Sequence, residues 1–355
     1  MQGTVDTQEQ LATLEKTPIE RSSALSKLKR RANRKKPLDI VFSDVDGTVY
    51  TINKEEDGTW TKEGDNKESS KLLSERNIPL TLISGRPDWG EKEDKEMKRL
   101  GLDPAEIVIS GAGTVIYWRD EEGRLVPDEE YSKRMANQQI SIHDEESPYE
   151  GGYDPDVIRS TLARKLDSFV AHGMTEVRVE ENSGTGFVVL DVDAIPFDKL
   201  KSLIYEIRNT AKGITVEYSE DLKRVSEDHF SGWVQIVPKS GGKDSASKYV
   251  LEKLASKVNP YNSDEKKKPI GHMIGEGSID IWMLAMGVRR EDIYDLRQYG
   301  LGNLTPNARS RLEKVIDSFK STLDSGKSLP SKRAYLDLID QKGSEGLREV
   351  ISNLR

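Results

Sequence analysis

The sequence predicts an α/β protein, a parallel sheet between helices with a smaller α+β unit inserted in it. Three observations carry this. Short β-branched runs near 38–43, 78–83, 106–110 and 270–274 recur with helical stretches between the earlier ones. Each run ends in glycine, hydroxyl or charged residues, and open α/β sheets bind ligands at the carboxyl ends of their strands. Between 154 and 237 the order changes to helix, strand, strand, given twice, which marks a separate unit.

At 355 residues the chain is long enough for one large or two moderate domains. Its residues are 35% hydrophobic and 33% charged, with a net charge of −8. That balance disfavours general nucleic-acid binding, and an anionic substrate would need local positive charge. No apolar run is long enough to span a bilayer, and no signal-peptide core follows Met1, so a cytoplasmic location is expected. The absence of cysteine excludes disulfides, zinc–thiolate sites and thiol catalysis.

The basic run Lys27, Lys29, Arg30, Arg31, Arg34, Lys35 and Lys36 closes a helix whose start is signalled by Thr17, Pro18 and Glu20. Positive charge there suits the helix dipole, so a solvated helix end packed lightly on the domain is expected ahead of an anion-binding surface. Ile40, Val41 and Phe42 then read as a buried strand running into Asp44, Asp46 and Gly47. If the strand geometry persists, both carboxylates share a face, where they repel unless a cation or shared proton intervenes. Gly47 permits a sharp turn. A hard metal ion beside a nucleophile fits this pattern; a plain polar turn is the alternative.

Residues 51–65, with Asp57-Gly58, suggest a hairpin-like flap. A helix over 66–76 leads to the strand at 78–83, which ends in Ser84-Gly85-Arg86-Pro87, a hydroxyl, a glycine and a cation suited to phosphate oxygens. A charged helix over 88–100 precedes the strand at 106–110, and Gly111-Ala112-Gly113 turns the chain into a strand at 114–118. Residues 119–153 read as acidic and loop-rich. The inserted unit follows: helix 154–172, strands 176–180 and 186–193, helix 196–211, strands 214–218 and 232–237. Lys243, after Gly241-Gly242 at a helix start, forms an anion site with the free amides, without the spacing of a nucleotide P-loop. Glu276 and Asp280 stand four apart after the strand at 270–274. A last short strand at 299–303, a helix from Thr305-Pro306 to about 324 and two short helices complete the expectation.

Together these stretches resemble the haloacid dehalogenase superfamily of phosphatases. Asp44-Val45-Asp46-Gly47-Thr48 is similar to its first motif, Ser84-Gly85-Arg86 to its second, Lys243 to its third, and Gly275-Glu276 with Asp280 to its fourth. The αββαββ insertion resembles the type-two cap of the Cof-like and sucrose-phosphatase-like branches. Two segments resemble the latter in particular: Ser110-Gly111-Ala112-Gly113-Thr114-Val115-Ile116-Tyr117 and Ile236-Val237-Pro238-Lys239-Ser240-Gly241-Gly242-Lys243. The resemblance spans roughly 37–325. It implies a Rossmann-like catalytic core over 37–118 and 236–325, a cap over 119–235, and extensions over 1–36 and 326–355 that have no counterpart.

The resemblance also implies roles. Asp44 would attack phosphorus, and Asp46 would protonate the leaving oxygen and then activate water. Ser84 and Lys243 would stabilise the transferring phosphoryl group, with Gly47, Thr48 and Gly85 completing its cradle. Mg²⁺ would be held by Asp44, Asp46 through its carbonyl, and Glu276, with Asp280 as a further carboxylate. Glu276 stands where the family usually has aspartate, and Ile279 where this branch usually has asparagine. The substrate implied is a sugar phosphate or similar small ester. A phosphomutase and a catalytically weakened binding protein are the alternatives.

Arg178, Glu180, Lys223, Arg224 and His229 are candidates to line a substrate pocket, with solvated strand ends the more economical reading. His143, His172 and His272 lack paired metal spacing and are read as structural or exposed.

Overall fold

The computed structural model describes residues 17–55, 59–86, 89–165, 174–180, 186–220, 229–258, 269–275, 295–301, 335–338 and 341–354. It opens on a 3-10 turn, Pro18–Arg21, in which the Glu20 carboxylate accepts from the Thr17 N–H at 3.0 Å. The α-helix proper, α1 (Ser23–Asn33), starts a few residues later under a second cap, Ser22. α1 is not lightly packed, as its charge suggested. Ala24, Leu25, Leu28 and even Arg31 are buried, and its apolar stripe lies in the same core cluster as Ile40 and Phe42. Each fully buried leucine there contributes about 1.5–3 kcal/mol. The basic residues had hidden a helix integral to the core.

Strand β1 (Leu38–Asp44) is buried along its whole length, as a strand covered on both faces must be. The flap strands β2 (Thr51–Lys54) and β3 (Trp60–Glu63) pair antiparallel. Helix α2 (Lys67–Arg76) leads to β4 (Leu80–Ile83), and α3 (Glu91–Arg99) to β5 (Ile107–Ser110). Then β6 (Val115–Arg119) and β7 (Leu125–Pro127) turn back antiparallel on β5.

The expectation of a loop-rich 119–153 is corrected. Besides β7 it holds helix α4 (Glu129–Ala136) and strands β8 (Gln139–Ile142) and β9 (Tyr149–Gly152). Some of its acidic residues, such as Glu129, Glu130, Glu145 and Glu146, face solvent, while the buried Asp128 caps α4 by accepting from the Tyr131 N–H.

Helix α5 (Pro155–Arg164) is shorter than the expected 154–172, part of which lies outside the described residues. Then come β10 (Met174–Glu180), β11 (Phe187–Pro196), α6 (Phe197–Thr210), the two-residue β12 (Ala211–Lys212), β13 (Ile214–Glu220) and β14 (His229–Pro238). These strands form an antiparallel sheet in the order β10-β11-β14-β13, while β12, β8 and β9 make a smaller one. One face of the larger sheet is covered by α5 and α6 through Ile158, Leu162, Leu190, Leu203 and Val234. From its opposite face Phe187 and Val189 pack with Val237 on Ala112 of the core.

The chain returns through α7 (Lys243–Val258) to β15 (Pro269–Gly275) and β16 (Asp295–Gly300). Two expectations fail beyond this point. The strand at 299–303 begins earlier and ends at Gly300, and another parallel strand, β17 (Tyr335–Leu338), lies outside it. Helix α8 (Gly343–Asn353) follows as one of the two short closing helices expected, and residues 325–334 lie outside the described residues. The helix expected after Thr305 lies outside the described residues.

Among the described residues the main sheet has eight strands, in the order β17-β16-β15-β1-β4-β5-β6-β7. All pairs from β17 to β5 are parallel. This parallel α/β sheet with a separate antiparallel unit is the predicted class. β1 sits near its middle, between β15 and β4, so three strand tips come together. Among the described residues no helix is long and apolar enough to cross a membrane.

Candidate active site

The site is built on the carboxyl tips of β1, β4 and β15. Asp44 is level with Ile83, so Ser84 is the next residue beyond its neighbour. Ser43 is level with Ile274, which sets Gly275, the end of β15, beside Asp44. Glu276 and Asp280 lie outside the described residues, as do His172, Lys223 and Arg224.

Lys243 reaches this point from another direction. Its backbone opens α7, and its Nζ donates to Asp44 Oδ1 at 2.5 Å. Both residues are buried, at 7% and 6% exposure. The approach depends on Gly113, which has φ +89°. A Cβ there would fall 2.2 Å from the Gly242 carbonyl carbon and 2.6 Å from the Lys243 nitrogen. The turn after β5 therefore sits directly against the loop that delivers the lysine, and only glycine leaves room.

Asp46 does not share a face with Asp44. The strand ends at Asp44, and Gly47, at φ +82°, reverses the chain so that Asp46 bridges to Tyr50. Its half-exposed carboxylate accepts from the Tyr50 hydroxyl and from Arg86 Nη2, the latter at 3.2 Å. The two aspartates thus differ in environment: Asp44 is paired with a buried lysine, and Asp46 is half-exposed and held by Tyr50 and Arg86. The Arg86 guanidinium, expected for phosphate, also binds Glu96 at 2.8 Å, and Glu96 binds Lys62 of the flap at 2.8 Å. Burial works against the Arg86 charge, but Asp46 and Glu96 outweigh it and hold its pKa above the ordinary arginine value. Burial likewise works against the Glu96 carboxylate, yet Lys62 and Arg86 keep its pKa below the usual range.

Ser84 is buried, and its Oγ accepts from the Arg86 N–H at 3.1 Å. Its own N–H donates to Ile109 at 2.8 Å, which fixes the loop on β5. Thr48 is buried with no hydrogen-bond partner for Oγ1 among the described residues. His143 and His229 are exposed, whereas His272 is fully buried between Asp39 and Tyr299 below the site.

Two residues of the neighbourhood gave no sequence signal. Tyr50 has only a hydroxyl four residues beyond Asp46 to mark it. Gln235 on β14 is 6% exposed, and its Oε1 has no hydrogen-bond partner among the described residues. Its Nε2 lies 3.2 Å from where a Cβ on Gly85 would stand, so the carboxamide overhangs the Ser84–Arg86 turn. It is only a polar residue between Val234 and Ile236 in an apolar strand, on the face turned to the core.

The described oxygen donors, the Asp44 carboxylate and the groups of Asp46, are hard ligands that suit a hard cation. Among the described residues no cluster of three or more His, Cys, Asp or Glu side chains forms a complete metal site.

No protein-family model and no curated protein matches the sequence. Solved structures do match. The sucrose-phosphatase from Synechocystis sp. PCC6803, in complex with sucrose and phosphate, is similar over 90% of this chain and 98% of its own, with 14% identity and a TM-score of 0.51. A haloacid dehalogenase-like hydrolase protein from Bacillus subtilis covers 90% and 94%, with 16% identity and a TM-score of 0.43. The C-terminal domain of trehalose-6-phosphate phosphatase from C. albicans covers 93% and 95%, with 12% identity and a TM-score of 0.45. At such identities the likeness is one of fold: this chain has the fold of the sucrose-phosphatase structure over 90% of its length.

Proposed function

We propose that the protein hydrolyses phosphomonoesters of small polar alcohols, sugar phosphates foremost, with Asp44 as nucleophile. The observation that carries this is the buried Lys243–Asp44 pair at the strand tips, beside Ser84. An anionic carboxylate attacking an anionic ester needs a fixed cation at the point of attack, and Lys243 is one. Asp44 Oδ forms a bond to phosphorus as the ester oxygen departs, and Asp46 gives that oxygen its proton. Asp46 then takes a proton from the water that attacks the aspartyl phosphate, which releases phosphate and restores Asp44. Arg86 and Tyr50 hold the Asp46 carboxylate at the mouth for both transfers. The inserted unit from β8 to β14 is the cap that encloses the leaving alcohol and excludes bulk water, narrower than the expected 119–235 because β7 belongs to the main sheet and α4 packs in the main core.

Mg²⁺ fits the oxygen donors of Asp44 and Asp46, with Glu276 and Asp280 as the further carboxylates. When bound it would offset negative charge on the phosphoryl group.

Release of inorganic phosphate from a panel of phosphorylated metabolites tests this reading, with Asp44→Asn as control and with Mg²⁺ present or removed by a chelator. Turnover of at least one sugar phosphate that needs Asp44 and Mg²⁺ is expected. Release no faster from the wild type than from Asp44→Asn would reject the hydrolase, and phosphate moved to a sugar rather than to water would make it a mutase.

A further inference from the structure

The basic run that closes α1 takes no part in this chemistry. At the end of the sheet away from Asp44, a cavity of about 280 Å³ is lined by Arg31, Arg34, Lys36, Arg76 and Leu354. It lies where the C-terminal ends of α1, α2 and α8 meet. Asp39, at the start of β1, is bound by Arg31 there, five residues and so roughly 17 Å from Asp44.

Four cations converge on the cavity, and their partners account for only part of the charge. Arg31 is committed: Nε donates to Pro37 O at 2.6 Å, Nη1 to Arg76 O at 2.6 Å, and Nη2 to Asp39. Asp39 is shared with His272. Arg76 uses Nη1 on the carbonyls that end α8, with Ile351 O at 2.9 Å and Ser352 O at 3.3 Å. Among the described residues neither Arg34, Lys36 nor Arg76 has a carboxylate partner.

Helix-end compensation explains Arg76, which satisfies orphan carbonyls. It does not explain Arg34 and Lys36, which follow the last residue of α1 and flank Lys35 at φ +56°. Burial lowers the Arg31 pKa, Asp39 opposes this, and Arg76 adds a like-charge push. Among the described residues the cavity is therefore short of negative charge, and it is concave, with the half-buried Arg76 guanidinium at its wall.

We propose that this cavity binds a small soluble phosphate-bearing anion, gripped by Arg34, Lys36 and the free edge of Arg76. Guanidinium forks match phosphoryl oxygens, and about nine water volumes of space at roughly 30 Å³ each accommodate a diphosphate-sized group. Occupancy ties α1, α2 and α8 together. The other end of α8 abuts the flap root, since a Cβ on Gly343 would lie 2.8 Å from Thr51 Cγ2.

The test is a titration with pyrophosphate, free of divalent metal and at constant ionic strength, by calorimetry and thermal unfolding. It compares wild type with Arg34→Glu/Lys36→Glu, two exposed positions, and with Lys243→Ala, which removes the cation at the strand tips. The expected result is a thermal stabilisation that Lys243→Ala retains and that the double variant loses, with affinity down at least about tenfold. Wild-type affinity in the double variant, or equal stabilisation by sodium chloride, overturns the proposal. Tungstate soaked into wild-type crystals gives a reading independent of either variant: anomalous density between Arg34 and Arg76 is expected, and density at the strand tips alone overturns it. Phosphatidylserine vesicles that retain the wild type but not the double variant would assign the cations to a lipid headgroup and overturn the soluble ligand.

Discussion

Lys243 Nζ and Asp44 Oδ1 are 199 positions apart in the chain and 2.5 Å apart in space, and both residues are buried. The pair needs α7, the parallel sheet and the glycine turn at 111–113 all in place. A buried ion pair gives up much of its attraction to desolvation, but losing one partner leaves the other charge buried and uncompensated. Lys243→Met should leave the Asp44 charge buried alone. The expected outcome is an unfolding free energy lower by about 3–5 kcal/mol by denaturant titration, with phosphatase turnover lost. Asp44→Asn should lose at least about a thousandfold in turnover; it leaves the Lys243 charge buried with only an amide oxygen as acceptor, so some loss of unfolding free energy is expected with it.

Arg86 links Asp46 to Glu96 and, through Glu96, to the flap. Arg86→Leu frees the Asp46 carboxylate to rotate, and the proton transfers lose their geometry. Turnover is expected to fall by about tenfold to a hundredfold, within what positioned acid–base groups contribute. Arg86→Lys should restore only part of it, because an ammonium cannot span Asp46 and Glu96 as the fork does. Steady-state kinetics on a chromogenic phosphoester measures both.

Gln235 carries a buried carboxamide oxygen with no partner among the described residues, above the Ser84–Arg86 turn. A buried acceptor left unsatisfied costs about 1–3 kcal/mol, so its replacement by leucine should be neutral or stabilising. If the oxygen serves a hydroxyl of the leaving alcohol, the same variant loses kcat/KM on a sugar phosphate more than on an aryl phosphate. A melting temperature that holds or rises while that ratio falls is the expected pair of results; a fall in stability with an unchanged ratio would make Gln235 structural.

His272 is fully buried, and burial lowers its pKa below the ordinary 6.5, against the opposing pull of Asp39. In the unfolded chain the imidazole takes a proton near 6.5, while in the folded protein it stays neutral to lower pH. Protons are then bound preferentially by the unfolded state, so the stability is present above about 6.5 and is lost as pH falls toward the folded value. The slope from this one residue is at most about 1.4 kcal/mol per pH unit. Thermal unfolding at pH 8, 6.5 and 5 should show the decline, and His272→Gln, though less stable throughout, should show a shallower one.

Periodicity and strand-tip chemistry were enough to place β1, β4, β5 and β15 and to single out Asp44, Ser84 and Lys243. These signals are local: a buried parallel strand must be apolar throughout, and a residue at its tip must be polar to face a ligand. Where an element's burial depends on distant partners, local composition misled. The basic end of α1 concealed a core helix, the acidic stretch 119–153 concealed capped elements, and β17 is placed by its pairing with β16.

By itself the sequence determined the class of fold and the central strands β1, β4, β5 and β15, and it offered candidate carboxylates and cations at their tips, because hydrophobic period and turn residues act over a few positions. Only the tertiary structure decided how those groups were divided. Lys243 went to Asp44, Arg86 to Asp46 and Glu96, and Arg34 and Lys36 to a cavity at the opposite pole. Ion pairs are chosen by distance and burial, and both exist only once the sheet has brought remote segments together.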